Sequence, residues 1–330
     1  MNSPVRFVLI GSGAIARVYL FALKNLPEAR AVGVVSRSAK TPVGFSELPA
    51  FRSLNEVDIP FDAVLVCTPN GLHCDPVVEA AGLGKHVLCE KPIEIEIERI
   101  DRMIAACRAA GVKLGVTYQR RFSAHNPLVK RLIEAGKLGR ILSVDLTVRN
   151  YRDERYFNSA PYRGTRSIDG GGCFMMQASH YIDLYCWFFG RPDHLISKVS
   201  TLLHPIEVED HGAVICFHEA GPIATITAST VTRPGFPAKM EIYTDRGFLV
   251  MVDDVITEWA IEGMANPAGE DAPLPRGGTP LKPEEETLNQ ELVIRDFVRA
   301  IRQDREPLVN GEAARIATEV ILEIYNRQFC

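Results

Sequence analysis

Over about its first 120 residues the chain alternates short apolar segments with stretches of helical periodicity. Five segments rich in Val, Leu and Ile are predicted strands: Arg6–Ile10, Ala31–Val35, Ala63–Cys67, His86–Cys89 and Lys113–Thr117. Helical spacing predicts helices over Ile15–Asn25, His73–Leu83 and Glu96–Ala110. Strands that are apolar on both faces and alternate with helices are typical of parallel sheets with crossover helices. Residues 1–122 are therefore predicted to form a doubly wound α/β domain.

The pattern changes after about residue 123, where most predicted strands follow one another without intervening helices. These strands are Ile141–Arg149, Ile196–Leu203, Gly212–His218, Ile223–Ser229, Lys239–Thr244, Phe248–Val252 and Ile256–Ile261. They predict one large, mostly antiparallel open sheet in an α+β domain over residues 123–330. Further helices are predicted over Asn126–Ala135, Gly171–Phe189, Leu288–Ile301 and Glu312–Gln328. We expect the last two to pack back on the first domain, and residues 263–286 to form a surface loop.

Length and charge limit the classes of function. The chain has 330 residues, which suits two domains, and a net charge of −4, which argues against nucleic acid or an anionic membrane as the main partner. No apolar run reaches the ~18 residues of a membrane span. The start lacks the basic segment of a signal peptide, so we expect a cytoplasmic protein. The eight cysteines include no CxxC pair, which predicts buried reduced thiols, no disulfide framework and no metal site.

A glycine-rich turn follows the first predicted strand and opens the first predicted helix. It reads Gly11-Ser12-Gly13-Ala14-Ile15-Ala16. The first glycine permits a tight turn, and the second lets the main chain approach a pyrophosphate at the helix N-terminus. The strand–turn–helix context therefore predicts a Rossmann dinucleotide site with contacts from Gly11, Gly13, Ala14 and Ile15.

The end of the second strand bears on which dinucleotide binds. No acidic residue follows Val35, where an Asp or Glu often binds the ribose 2′-hydroxyl. Ser36 and Arg37 stand there instead, and they suit the 2′-phosphate of NADP. The alternative is that Arg37 stacks on adenine while NAD binds through other groups. The residues alone leave NAD and NADP both open.

Polar clusters follow three successive strands of the predicted first sheet. They are Thr68-Pro69-Asn70, Glu90-Lys91-Pro92 and Gln119-Arg120-Arg121. In open α/β sheets, ligands bind in the crevice beyond the carboxyl ends of the strands. We therefore expect Thr68, Pro69, Asn70, Glu90, Lys91 and Gln119 to contact the cofactor. His73, which begins the next helix, is added to that set.

These motifs occur in the order found in a known family. With Tyr118–Phe122, Gly170-Gly171-Gly172, His180 and Asp183, they resemble the glucose–fructose oxidoreductase / inositol dehydrogenase (Gfo/Idh/MocA) family of NAD(P)-dependent sugar dehydrogenases. The resemblance covers nearly the whole chain. It implies a nucleotide-binding domain followed by a domain whose open sheet mediates dimer or tetramer contacts.

A narrower resemblance lies in the segment from Tyr156 to Thr165, which leads into Asp169-Gly170-Gly171-Gly172. It is similar to the branch that oxidises C3 of UDP-linked N-acetylated sugars ahead of a transamination, and this implies NAD. Two residues depart from the pattern. Arg166 stands where part of the branch has Trp, and Met176 stands where much of the family has Asp or Asn. The second departure places more of the chemistry on Lys91 and His180.

Oxidation of a secondary alcohol needs a base for the hydroxyl proton and a group that stabilises the alkoxide. The candidates are Lys91 and His180, and sequence does not decide between them. As the base, Lys91 would need a pKa below its ordinary ~10.4, which desolvation and a nicotinamide cation would provide. A substrate diphosphate and uracil suit the Arg- and Tyr-rich segment near residues 149–166. The predicted substrate contacts are Lys91, Arg121, Tyr151, Tyr156, Arg163, Met176 and His180.

The sequence therefore predicts an NAD(P)-dependent enzyme that oxidises the 3-hydroxyl of UDP-N-acetylglucosamine to the 3-keto sugar, in lipid A or lipopolysaccharide amino-sugar synthesis. The uronic acid of that sugar is the first alternative substrate, and a free sugar or inositol is the second. A regulator that binds a dinucleotide without turnover is the third. The predicted partners are a UDP-sugar and further copies of the chain, as a dimer or tetramer.

Overall fold

The structure is a computed structural model that describes residues 3–123, 125–269 and 287–328. The chain forms two compact units. The first contains described residues of 1–119 and 281–315, and the second contains those of 120–280 and 316–330. Each unit is built around its own sheet.

Thirteen strands occur in the described part of the chain. They are β1 Val5–Ile10, β2 Ala29–Val35, β3 Ala50–Phe51, β4 Ala63–Val66, β5 His86–Cys89, β6 Leu114–Val116, β7 Ile141–Arg149, β8 His194–Ser200, β9 His211–Phe217, β10 Ile223–Ser229, β11 Lys239–Thr244, β12 Gly247–Val252 and β13 Val255–Ile261. The α-helices are α1 Ala14–Lys24, α2 Cys74–Gly82, α3 Ile97–Ala109, α4 Asn126–Glu134, α5 Glu154–Phe157, α6 Ser179–Phe189, α7 Leu288–Gln303 and α8 Gly311–Asn326.

The first sheet has the strand order β3-β2-β1-β4-β5-β6, and all its pairs are parallel. Its central strands are buried along nearly their whole length, as expected for strands covered on both faces. Helix α7 comes from the far end of the chain and packs in this unit. The Phe297 ring lies 6.3 Å from that of Phe7, and a Cβ on Gly115 would come within 2.8 Å of Phe297.

The second sheet has the order β13-β12-β11-β7-β10-β9-β8. One face packs on the helical segment that ends in α6, with a core that includes Leu146, Ile226, Phe174 and Ile182. The other face carries exposed Ile196, Ile215 and Ile223 and the polar side chains between them.

The predicted α/β plus α+β architecture is confirmed, and most predicted elements lie within two residues of the observed ones. The second sheet is mostly antiparallel, as predicted, and within it β7 and β10 pair in parallel. Strand β8 ends before the predicted Leu203. The N–H groups of Leu202, Leu203 and His204 donate to the carboxylate of Asp210, at 2.7–2.9 Å, instead of continuing the ladder.

Two other predictions concern residues that lie partly outside the described ranges. The seven cysteines from Cys67 to Cys216 are buried free thiols, and Cys330 lies outside the described residues. Most of the predicted loop, residues 270–286, also lies outside them. Among residues 3–123, 125–269 and 287–328, no helix has the length and apolar character that a membrane crossing requires.

Candidate active site

The glycine turn joins β1 to α1. Gly11 has a φ of +113°, and a Cβ there would lie 2.6 Å from the carbonyl oxygen of Cys67. A Cβ on Gly13, which caps α1, would meet no described protein atom within 4 Å. Ala14 and Ile15 form the first turn of α1, which has no acidic residue. Open space before a helix N-terminus fits a pyrophosphate, because the main-chain N–H groups and the helix dipole attract anions.

Ser36 and Arg37 follow β2 in different environments. Ser36 is buried, and its hydroxyl donates to the carbonyl of Lys40 at 2.8 Å and accepts the Lys40 N–H at 2.9 Å. This hydroxyl is thus engaged in closing the turn. Arg37 is exposed. Of the two predicted groups for a 2′-phosphate, only Arg37 has a side chain directed to solvent.

The turn after β4 is tied to a later segment by His73. Thr68 and Pro69 lead into a short 3₁₀ turn that begins at Asn70, and His73 follows it, fully buried. The His73 Nε2 lies 2.8 Å from the carbonyl oxygen of Thr68, and Nδ1 lies 3.0 Å from that of Pro92. A carbonyl oxygen only accepts, so each contact is a hydrogen bond when the ring nitrogen carries a proton. With no exposed surface, the ring acts on the site by bracing these two segments.

The segment after β5 places Glu90 and Lys91 at the end of the sheet. The Glu90 Oε1 accepts a hydrogen bond from the hydroxyl of Tyr19 at 2.5 Å, and Oε2 accepts the main-chain N–H of Lys91 at 3.0 Å. Lys91 is half-buried and precedes a cis proline peptide at Pro92. The turn therefore presents Lys91 from a main chain held by its neighbours. Gln119, beyond β6, ends the N-terminal segment of the first unit.

In the second unit, the glycine triplet supports the helix that carries His180. A Cβ on Gly171 would lie 2.1 Å from the hydroxyl of Tyr325, and one on Gly172 would lie 1.6 Å from the carbonyl oxygen of Glu209. The buried Glu209 carboxylate accepts the Gly172 N–H and the Tyr325 hydroxyl at 2.9 and 3.0 Å. Burial raises the pKa of Glu209, and the hydrogen bonds oppose that rise. Only glycine fits this close approach.

A single turn of π-helix, Phe174–Ala178, precedes α6 and bears on the side chains of the site. Such turns are rare and are often found at functional sites. Met176 and Gln177 lie on this turn, and the half-buried His180 follows near the start of α6. Met176 and Gln177 line a cavity of about 230 Å³, counted with its space open to solvent. The cavity is also bordered by Tyr156, Phe157, Gly164, Asp169, Gly171, Gly172, Cys173, Val208, Glu209 and Thr230.

Arginine side chains flank the predicted substrate tyrosines. The guanidinium carbons of Arg163 and Arg152 lie 4.3 and 5.2 Å from the ring centre of Tyr156. The Gln177 amide donates to the Tyr156 hydroxyl at 3.3 Å. Tyr151 is approached by a different arginine, Arg233, at 4.9 Å. Tyr156 and Met176 thus line one cavity, and Arg163 packs on Tyr156, whereas Tyr151 pairs with a different arginine, Arg233.

Arg121 has a structural partner. Its Nε and Nη2 donate to the two oxygens of Asp183 at 2.8 and 2.6 Å, and both side chains are buried. Burial raises the pKa of Asp183, and the Arg121 charge opposes the rise. This bidentate pair uses two guanidinium nitrogens of a residue predicted to bind substrate. It also anchors α6 three residues beyond His180.

Three residues of the candidate site were missed by the sequence reasoning. Tyr19 lies in an apolar helix pattern, and Glu209 lies in a loop, so neither carried a signal. Gln177 had a weak signal, because it is the polar neighbour of the unusual Met176. Among the described residues, no group of three or more His, Cys, Asp or Glu side chains is placed to hold a metal ion.

Comparison with known families matches both halves of the chain. Residues 5–118 match the oxidoreductase family with an NAD-binding Rossmann fold, and residues 128–250 match the GFO/IDH/MocA C-terminal domain. The chain belongs to the GFO/IDH/MocA oxidoreductase family. It is therefore an oxidoreductase with a Rossmann domain for NAD(P), and the predicted family is confirmed.

The proteins that resemble the chain differ in the sugar or polyol that their names give. The WlbA dehydrogenases from Bordetella pertussis and Chromobacterium violaceum, both in complex with NADH and UDP-GlcNAcA, are 28% and 27% identical to the chain, with TM-scores of 0.83 and 0.85. The matches cover 98% and 99% of this chain and 96% and 94% of theirs. Inositol 2-dehydrogenase from Rhizobium meliloti is 27% identical over 74% of each chain.

Proposed function

We propose that this family member oxidises the 3-hydroxyl of a UDP-N-acetylhexosamine to the 3-keto sugar. The observation that carries the proposal is the cavity residue Tyr156, whose ring is contacted by Arg152 and Arg163, in a chain that is similar along 98% of its length to a dehydrogenase bound to UDP-GlcNAcA. Arginine suits the diphosphate of such a substrate, and aromatic faces suit its uracil. A free sugar or inositol has no diphosphate and no uracil, so its binding requires neither the arginines nor the aromatic ring.

The residues of the first unit fit a bound nicotinamide dinucleotide. The open space at Gly13 and the first turn of α1 suit its pyrophosphate, and Arg37 is an exposed cation for the adenosine end. The bound cofactor would accept the hydride from C3 of the sugar. We propose NAD, since Ser36 is engaged in its own turn and leaves Arg37 as the sole member of the predicted pair to meet a 2′-phosphate.

We propose that Lys91 and His180 take up the proton of the 3-hydroxyl and stabilise the alkoxide. Lys91 lies on a turn that a hydrogen bond to Glu90 holds in place. His180 lies on α6, which the Asp183–Arg121 pair anchors. A positioned ammonium or imidazole stabilises an alkoxide and takes up its proton. Met176 provides no polar group for this task, so the assignment requires both Lys91 and His180.

There are two candidate sugar substrates, UDP-N-acetylglucosamine and its uronic acid. The sequence placed UDP-N-acetylglucosamine first, whereas the similarity to the two WlbA complexes supports its uronic acid. Arg163, which packs on the cavity residue Tyr156, has a buried Nε that makes no hydrogen bond within the described residues. A C6 carboxylate would suit this donor.

The test uses purified protein with each sugar and with NAD or NADP. Nicotinamide reduction is followed by absorbance, the 3-keto product by mass spectrometry, and a glutamate-dependent aminotransferase draws the equilibrium forward. We expect turnover with a UDP-sugar, at least about 100-fold slower in Lys91→Ala and His180→Asn. Lys24→Ala, an exposed lysine in the same unit as Lys91, is the matched control and should keep full activity. Turnover of inositol alone, or of neither UDP-sugar, would contradict the proposal.

Assembly is a separate part of the proposal. We propose that copies of the chain associate through the open face of the second sheet. Ile196 and Ile215 are paired across β8 and β9 on that face, where both are exposed. Exposed apolar side chains in one patch favour association. Ile196→Glu should lower the mass measured by light scattering to that of a monomer, whereas Val43→Glu, an exposed change in the first unit, should not.

A further inference from the structure

The Glu90-Lys91-Pro92 turn is held by a tyrosine that none of the motifs includes. The Tyr19 hydroxyl donates to the Glu90 Oε1 at 2.5 Å, and Tyr19 is almost completely buried. We propose that Tyr19 is a positioning residue that acts on Lys91 through Glu90. This inference rests on the proposed function, in which Lys91 handles the substrate proton.

The carboxylate of Glu90 bridges two parts of the first unit. One oxygen accepts from the tyrosine on α1, and the other accepts the main-chain N–H of Lys91 at 3.0 Å. Hydrogen bonds to a charged acceptor are short and strong, and two of them fix both the position and the rotation of the carboxylate. Without the Tyr19 hydroxyl, one oxygen loses its donor, and the constraint on the Lys91 main chain weakens.

The location of Tyr19 explains why this contact matters. Helix α1 starts at Ala14, directly after the glycine turn, so Tyr19 lies on the second turn of the helix whose N-terminus would meet the pyrophosphate. A helix is a rigid element, and the distance along it between Ala14 and Tyr19 is set by its geometry. Through Glu90, the same helix therefore sets where Lys91 stands relative to the bound dinucleotide.

Three buried groups that interact with Glu90 are uncharged at neutral pH. Tyr19, Cys67 and Cys89 have pKa values well above their ordinary ones, first because they are buried and then because of the negative charge on Glu90. The Tyr19 hydroxyl thus remains a proton donor to the carboxylate over the working pH range. Without the Tyr19 hydroxyl, less of the negative charge on Glu90 is offset by hydrogen bonding. That charge then favours the protonated form of the Lys91 amine.

Kinetics give the first test. Tyr19→Phe should lower kcat by about tenfold with KM for the sugar unchanged, and should move the pH profile of kcat to higher pH. The matched control is Tyr185→Phe, which removes a buried hydroxyl that contacts His218 at 2.6 Å in the second unit. It should leave kcat and the profile unchanged. Equal effects of the two variants, or a change in KM alone, would overturn the proposal.

A double-mutant cycle tests the route through Glu90. If Tyr19 acts only through this carboxylate, the variant with both Tyr19→Phe and Glu90→Gln should be no slower than Glu90→Gln alone. Additive losses would show that Tyr19 acts in another way. Thermal unfolding of each variant separates a loss of fold from a loss of positioning.

A third measurement does not depend on the sugar. The rate at which an acylating reagent modifies Lys91, quantified by mass spectrometry across pH, should fall about threefold or more in Tyr19→Phe, while other lysines keep their rates. Unchanged Lys91 reactivity would overturn the proposal. If wild-type protein turns over no sugar but Lys91 reactivity still depends on Tyr19, the proposed function fails and the positioning role stands.

Discussion

Single buried acceptors organise the loops around the candidate site. Asp210 shows this most clearly, because its carboxylate accepts the N–H groups of Leu202, Leu203 and His204 and contacts the His204 ring at 3.2 Å. The His204 Nε2 in turn lies 2.9 Å from the carbonyl oxygen of Arg152. One carboxylate thus sets the main chain next to the arginine that packs on Tyr156.

Asp210→Asn should destabilise the protein by about 1–3 kcal/mol at pH 7, because the amide cannot accept on both sides. Burial raises the pKa of Asp210, but the main-chain donors together lower it further, so the net pKa lies below the ordinary value. Its stabilisation is therefore present above about pH 4 and is lost as pH falls through the native pKa. Urea unfolding at pH 7 and at pH 3.5 should show the difference between wild type and variant shrinking at the lower pH.

The control for this comparison is Asp58→Asn, which changes an exposed aspartate. It should cost less than about 0.5 kcal/mol at either pH. A wild-type advantage over Asp210→Asn that grows as the pH falls would contradict the assigned direction of the pKa shift.

The two glycines of the turn between β1 and α1 are expected to have different roles: Gly11 in folding and Gly13 in cofactor binding. Gly11→Ala places a Cβ 2.6 Å from the Cys67 carbonyl oxygen in a left-handed conformation, and should destabilise the first unit by more than about 2 kcal/mol. Gly13→Ala has open space and an ordinary φ of −77°, so its unfolding free energy should stay within about 0.5 kcal/mol of wild type. Its affinity for NADH should nevertheless fall at least about tenfold, because the methyl group occupies space needed by the pyrophosphate.

Fluorescence titration with NADH and urea unfolding measure these two quantities on the same samples. Gly44→Ala, at another glycine with open space around a Cβ but with positive φ, indicates the strain that backbone conformation alone introduces. Wild-type NADH affinity in Gly13→Ala would show that the pyrophosphate lies elsewhere.

Sequence periodicity predicted most elements of both sheets, because buried parallel strands and half-buried antiparallel strands have distinct patterns. It could not predict the parallel pairing of β7 and β10, since that depends on which strands become neighbours. It also could not predict the π-helical turn at Phe174–Ala178, because the extra residue leaves no mark in apolar spacing. Motifs located Gly11, Lys91 and His180, whereas Tyr19 and Glu209 emerged only from three-dimensional contacts.

The first unit includes a helix from the C-terminal part of the chain. Phe297 on α7 is buried against Phe7 and the main chain at Gly115. The boundary between the units falls after Gln119, near the predicted boundary after residue 122, and α7 belongs to the first unit. A fragment of residues 1–122 therefore lacks part of its own core.

We expect the 1–122 fragment to show no cooperative unfolding by circular dichroism and no NADH binding. Phe297→Ala in the full chain should cost about 3–5 kcal/mol, because it opens a cavity beneath the first sheet. Phe236→Ala removes a half-exposed ring of the second unit and is the matched control, with an expected cost of under about 1 kcal/mol. A fragment that unfolds cooperatively would show that α7 is dispensable.

The position of α7 in the chain has a consequence for synthesis on the ribosome. Every strand of the parallel sheet is translated by Val116, yet the helix that completes its core begins at Leu288. At 5–20 residues per second, the nascent sheet waits about 10–40 s for that helix, while the whole second sheet is made and emerges first. During this interval the apolar surface around Phe7 and Gly115 lacks its cover. A nascent chain of this protein should therefore need protection by chaperones at the end that was made first.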